Sequence, residues 1–250
     1  MSWRWLLPLG LISLAVGLVI NVPAAWVAQQ VQTRVPAVKL AGVTGSAYDG
    51  RAQYVVADGA VLEGVEWRLR PAALLTGRLV ADLTVDTDAG RLRATVARGL
   101  GATTRVTGAE GAASIGWFGR LAGYPQLPLS GDIRADLPEA EIGDDLRVRR
   151  LQGTVQLVNA RWQLAKPPID LGSFGGELKT EGEAVVLETA NSDGPLDVDG
   201  SARLVGGNRY QLDMTIRPRA GADERLKSML DLLGRPNAEG AYRVRERGAF

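Results

Sequence analysis

The sequence predicts an all-β protein: a mainly antiparallel, curved and twisted extended sheet, preceded by one N-terminal transmembrane helix and carrying one short amphipathic helix near its C-terminal end. Three observations predict it. Residues 6–27 form one uncharged apolar run. From Leu40 onward, apolar and polar residues alternate with period two between Gly-bearing turns, the pattern of strands with one buried and one wet face. Downstream of the apolar run, only residues 222–233 carry a helical stripe flanked by start and stop signals. The 31 Gly and 12 Pro among 250 residues suit many short strands better than long helices.

The apolar run, Leu6 to Val27, is broken only by Ser13 and Asn21. As a helix it would reach about 33 Å, enough for a hydrocarbon core of about 30 Å. Trp3, Trp5 and Trp26 flank it, where indoles favour the membrane interface. Arg4 and the amino terminus make residues 1–5 a cytoplasmic stub, although Arg34 and Lys39 on the other side weaken the positive-inside bias. A cleaved signal peptide is the competing reading, because Val22-Pro23-Ala24 offers small residues to a signal peptidase and would leave a mature chain starting near Ala25. Either reading exports the remainder. Residues 28–39, with Pro36, read as a polar linker before a β-rich domain over 40–250.

Within that domain, Leu79, Ala81, Leu83 and Val85 share one strand face while Arg78, Asp82, Thr84 and Asp86 share the other. Asp88-Ala89-Gly90 turns the chain, and Leu92, Ala94 and Val96 alternate with Arg91, Arg93 and Thr95 to complete a hairpin. Gly131-Asp132-Ile133-Arg134-Ala135-Asp136-Leu137 repeats the Gly77 strand, and the segment around Trp162 echoes the one around Trp67. These echoes suggest two similar β-units over 40–111 and 132–204. Between them, Ser114 to Leu121 reads as a short helical turn whose Trp117-Phe118 pair caps a core. The helix over 222–233 has Asp223 and Glu224 in its first turn, Gly234 as a C-cap with Pro236 beyond, and a Leu226, Met229, Leu230, Leu233 stripe for packing on the sheet. A final strand follows Gly240.

The composition narrows the chemistry. Lys+Arg 29 against Asp+Glu 28 gives a net charge of +1, which lacks the basic excess of a nucleic-acid footprint. With no Cys and no His, zinc and iron–sulfur sites, disulfides, thiol nucleophiles and Ser/His triads are excluded. A carboxylate-pair glycosidase needs neither residue, but Asp82, Asp86, Asp136, Asp197 and Asp199 fall at outward strand positions, where carboxylates are solvated. Gly172-Ser173-Phe174-Gly175-Gly176 lacks the lysine and following helix of a phosphate loop. Arg147, Arg149 and Arg150 follow two acids; they suit a protected strand surface or, alternatively, an anionic-lipid or partner contact. Trp67 and Trp162 read as half-buried core or rim residues, and full burial of Trp67 would make its replacement by alanine cost about 3–5 kcal/mol. No catalytic, cofactor-binding or metal-binding residue is assigned, and free sheet edges make binding the expected activity.

Trp67-Arg68-Leu69-Arg70-Pro71-Ala72-Ala73-Leu74-Leu75-Thr76-Gly77 matches a W-x-L-x-P-x-x-L-L-x-G signature. Arg217-Pro218-Arg219 before the late helix, then Leu233-Gly234-Arg235-Pro236-Asn237 and Gly240-Ala241-Tyr242-Arg243-Val244, match a family tail. With the single apolar segment, the chain resembles the type II secretion system protein N (GspN) family. That resemblance implies a non-enzymatic, single-pass protein of the Gram-negative inner membrane with most of its chain in the periplasm. It implies contacts with the inner-membrane platform proteins C, L and M and with the outer-membrane secretin. The Trp-Leu-Pro motif is also similar to AsmA-like β-repeat proteins, which implies lipid handling or envelope assembly along an apolar groove.

Overall fold

A computed structural model describes residues 22–249, apart from 35, 58–59, 102, 122, 125, 146, 207–208 and 233. The chain opens with α1 (Ala24–Arg34), then β1 (Val38–Ala41), β2 (Thr44–Gly45), β3 (Asp49–Ala57), β4 (Ala60–Leu69), α2 (Pro71–Leu74), β5 (Leu79–Thr87), β6 (Gly90–Arg98) and β7 (Thr103–Ser114). After α3 (Ile115–Leu121) come β8 (Leu129–Gly143), β9 (Val148–Trp162), β10 (Ile169–Glu181), β11 (Ala184–Asp193), β12 (Leu196–Val205) and β13 (Arg209–Pro218). The last elements are α4 (Glu224–Asp231) and β14 (Tyr242–Ala249).

All strands belong to one open antiparallel sheet in the order β1-β3-β4 and so on through β14, with β2 paired to β3 at its side. Every step after β3 joins a strand to its successor in sequence. The ladder therefore grows by local hairpins, each strand resting on the one before it. The two β-units anticipated over 40–111 and 132–204 are joined edge to edge, because β7 and β8 pair from Thr103 with Gly143 to Ser114 with Asp132. The mainly antiparallel fold expected from the alternation is the one observed.

The apolar run meets a boundary. Its residues 6–21, and the stub before them, lie outside the described residues, and no helix among the described residues is long and apolar enough to cross a membrane. Its last residues and the start of the expected linker are helical instead: α1 continues to Arg34. The helix packs on β1, β2 and β3 through the small residues Ala24 and Ala28, both buried. Their i, i+4 spacing puts them on one side, so the backbone approaches closely while the polar residues of the supposed linker stay in water.

The strand ends form two rims. At the entry rim, Val22 O accepts from Ala47 N (2.8 Å) and Pro23 bridges to Ser46; β4 passes into β5 through α2, and β6 into β7, at this same end. At the opposite, helical rim, α3 joins β7 to β8 and α4 joins β13 to β14. Helix α3 also contacts β4, three strands from β7, so the sheet curls. Ile115 and Trp117 are buried there. Only half of the expected Trp-Phe cap is formed, since Phe118 is 36% exposed and meets Trp117 edge-on at 5.1 Å.

The late helix begins and ends inside its anticipated range. Asp223 is its N-cap, accepting from Arg225 N at 2.8 Å. Leu226 and Leu230 are buried, with Met229 packed beside them; Leu233 lies outside the described residues. With Ala160, Ile169, Leu171, Leu196, Ala222 and Tyr242 they form the main buried cluster.

Trp67 is half-buried, and its indole N–H donates to Ala47 O at 3.1 Å. A Cβ on Gly50, its cross-strand partner, would lie 2.5 Å from the ring. We expect Trp67→Ala to cost about 2–3 kcal/mol, below the figure for full burial. Trp67→Phe should cost about 1 kcal/mol for the lost hydrogen bond. Thermal denaturation followed by circular dichroism checks both.

Candidate functional site: the two faces of the sheet

Register carries the strand alternation into two continuous faces. From Ala52 in β3, successive cross-strand partners are Val65, Val85, Leu92, Gly111 and Ala135. The same line continues through Val155, Gly176 and Thr189. It resumes with Gly200, Met214 and Val244 in the last three strands. At the join, the Thr189 hydroxyl accepts from Gly200 N (2.8 Å) and donates to Gly200 O (3.2 Å), so a side chain stands in for the ladder. Neighbouring positions on this face include Trp67, Leu83, Ile133, Leu157, Phe174, Val198 and Ile216.

The other face is polar along its whole width. One register line runs from Thr44 through Arg51, Glu66, Thr84, Arg93 and Glu110. It continues unbroken through Asp136, Thr154, Glu177, Glu188, Ser201 and Asp213 to Arg245. No position on that line is apolar. One face therefore seeks cover and the other seeks water.

Cover is partial. Helix α4 lies on the apolar face near the helical rim, because Leu226 and Leu230 cluster with Leu196 and Tyr242 and pack against Val198, Ile216 and Leu157. Tyr242 Oη donates to Asp231 at 2.7 Å and ties β14 to the end of that helix. Across the middle strands, Leu83, Val85, Leu92, Val96, Ala135 and Val155 are neither buried nor fully exposed. This half-covered band is the candidate interaction surface.

The carboxylates expected at outward positions are on the polar face, most of them in cross-strand ion pairs. Arg70 reaches Asp82 through two hydrogen bonds (2.7 and 3.0 Å), and Thr95 donates to the same carboxylate. Arg51 and Arg91 converge on Asp86, and Arg217 and Arg219 on Asp197. Asp136 and Asp199 sit in register with Thr154 and Thr215. Arg147 and Arg149 both turn back to Asp145, while Arg150 faces Glu141 across β8 and β9. Gly172, singled out in the sequence for its glycine-rich surroundings, sits at a bulge with φ +98°, where a Cβ would meet Asp193 O at 2.2 Å. Its role is backbone clearance. No group of three or more His, Cys, Asp or Glu among the described residues could hold a metal ion.

These contacts set a pH window. The Arg70 hydrogen bond, then that of Thr95, holds the Asp82 carboxyl below its ordinary 3.8. Arg243, with Arg245, lowers Asp213; Arg105 lowers Glu141; Lys179 and Arg203 lower Glu181. Each carboxyl thus titrates lower in the folded chain than in the unfolded one, so its contribution is complete above the unfolded value and drains as pH falls through the folded one. Tyr242 is raised above its ordinary 10.0 by the hydrogen bond to Asp231 and by burial. Its contribution is present below that value and lost as pH climbs through the folded one. With no histidine in the chain, we expect the melting temperature to be flat from about pH 5 to 9 and to fall below about pH 4 and above about pH 10. Because the pairs are exposed, the acid limb should be shallow and should shrink in high salt.

The architecture defines the class: an open meander scaffold that presents one long apolar face and one face of cross-strand charges. A family model described as type II secretion system (T2SS), protein N matches residues 36–245, and the chain belongs to that family. A curated relative, type II secretion system protein N of Vibrio cholerae serotype O1 (strain ATCC 39315 / El Tor Inaba N16961), is 24% identical over 227 residues, 84% of each chain. No solved structure matches significantly. The chain is therefore a component of type II secretion, a protein-transport system, and its family is not a known class of enzyme.

Proposed function

We propose that this chain is a non-enzymatic accessory component of the inner membrane, anchored by the apolar run that precedes Val22, since Val22–Val27 pack with the folded domain, with its sheet in the periplasm. There it takes part in the export of folded proteins across the outer membrane by contacting the platform proteins C, L and M, and the secretin. The observation that carries this reading is the family match over residues 36–245 directly behind an uncharged apolar run. The free edge of β14 supports it too. That edge strand carries Arg243 and Arg245, both paired with Asp213, and Arg247, a charged edge that discourages self-pairing and leaves Arg247 to meet an acidic partner strand.

Deleting the gene should reduce secretion of the system's substrate enzymes, and the full chain should restore it. A photo-crosslinking residue in place of Arg247 should capture a platform component in cells. Alkaline phosphatase fused after Phe250 should be active. Undiminished secretion together with no crosslink to any secretion component would reject the role, and an inactive fusion would reject the topology.

A second reading, lipid handling of the AsmA-like kind, is favoured by the unbroken apolar line of the middle strands. It requires phospholipid to occupy that face. Mass spectrometry of the chain isolated without detergent should then find bound phospholipid, and a lipid-free protein would exclude this reading.

A further inference from the structure

We propose that the entry rim rests on the bilayer, with the leucines around α2 and the β6–β7 turn dipping into an anionic phospholipid surface. Four leucines protrude together at this rim. Leu75 is 90% and Leu100 99% exposed, and Leu74 and Leu79 are nearly half exposed. They come from separate segments that meet: Leu79 pairs with Arg98 across β5 and β6, and a Cβ on Gly77 would lie 3.6 Å from Leu100. Isolated surface leucines need no explanation, but a cluster at the tips of adjacent loops marks a contact site.

Two further observations name the occupant. The chain enters the described domain at Val22, held by Ala47, and Leu69 N donates to Tyr48 O one residue further along that turn. Sixteen residues of apolar sequence, 6–21, thus join the domain beside the strand that leads into α2. Whatever surface receives that segment lies next to these leucines. Arginines also border them. The Arg78 side chain is exposed and has no hydrogen bond or ion pair among the described residues, and Arg98, beside Leu79, is paired with Asp144. Apolar tips with the unpaired Arg78 guanidinium among them fit the interface of a bilayer bearing anionic headgroups. The helical rim, closed by α3 and α4, points the other way.

The inference rests on the anchor reading, so the test separates them. The chain has no cysteine, which permits single probes at Leu75→Cys, Leu100→Cys, Leu164→Cys on the helical rim and Ser13→Cys in the apolar run. Each full-length variant is labelled with an environment-sensitive fluorophore. It is then reconstituted into phosphatidylcholine–phosphatidylglycerol vesicles containing a lipid-borne quencher. Probes at 75 and 100 should be quenched about twofold or more above the probe at 164, and Arg78→Glu should weaken the effect. Quenching at 13 but only background at 75 and 100 overturns the rim contact and leaves the anchor standing. Background at all three removes the anchor and the rim contact together.

Discussion

Leu226→Ala should destabilise the chain by about 3–5 kcal/mol, the upper part of the range for a buried leucine. Leu226 is 0% exposed and sits at the centre of the cluster that joins α4 to the sheet. The cost depends on whether the surroundings can collapse, and here both helix ends are pinned. Asp223 caps the first turn while Arg225 donates to Pro167 O at 3.1 Å, and Asp231 is held by Tyr242. The helix cannot slide inward to fill the void. The melting temperature of the detergent-solubilised full chain should drop by roughly 10 °C. Leu226→Met, which keeps the volume, should cost about 1 kcal/mol. A loss below 1 kcal/mol for the alanine variant would mean that α4 is only loosely attached.

Gly200→Ala should be the most damaging single-methyl addition tested, at roughly 2–4 kcal/mol. Gly200 has φ +145°, a conformation that L side chains rarely adopt, and an added Cβ would fall 2.2 Å from Asp213 O and 2.8 Å from Met214 Cα. Both obstacles are backbone, so neither can rotate away. The position is also where the Thr189 hydroxyl replaces the strand ladder. Strain there loosens the junction of β11 and β12, and in a meander each strand depends on its neighbours. Thr189→Val leaves the glycine geometry intact and should cost about 1–2 kcal/mol for the two hydrogen bonds. Urea denaturation of the pair separates backbone strain from lost bonding. Equal, small effects would show that this junction tolerates rearrangement.

Much of the fold is legible in the amino-acid sequence. The alternation around Gly77–Asp86 placed Leu83 and Val85 on one face and Asp82 and Asp86 on the other, and the sheet keeps them there. The stripe over Leu226, Met229 and Leu230 announced a helix with one buried side. α1 was missed because its buried side is only Ala24 and Ala28, too small an apolar signal to stand out from Gln29, Gln30 and Gln32. The exposed leucines of the entry rim were missed for the opposite reason. Leu75 and Leu100 look like core residues in a sequence, and only Gly77 and the Gly99–Gly101 stretch around them hint at loop tips.

By itself, the amino-acid sequence determined which side of each strand meets water, where one helix forms late in the chain, and to which family the chain belongs. Those properties are written locally, in period-two and i, i+3, i+4 spacing and in short motifs. Tertiary structure alone decided that the two β-units share one ladder, that apolar residues from twelve strands line up as one face, and that the chain's entry point and its protruding leucines fall on the same rim. A residue's spacing records its face but not its partner. Cross-strand register is fixed by backbone hydrogen bonds and bulges between segments, and it becomes visible only when those segments are placed side by side.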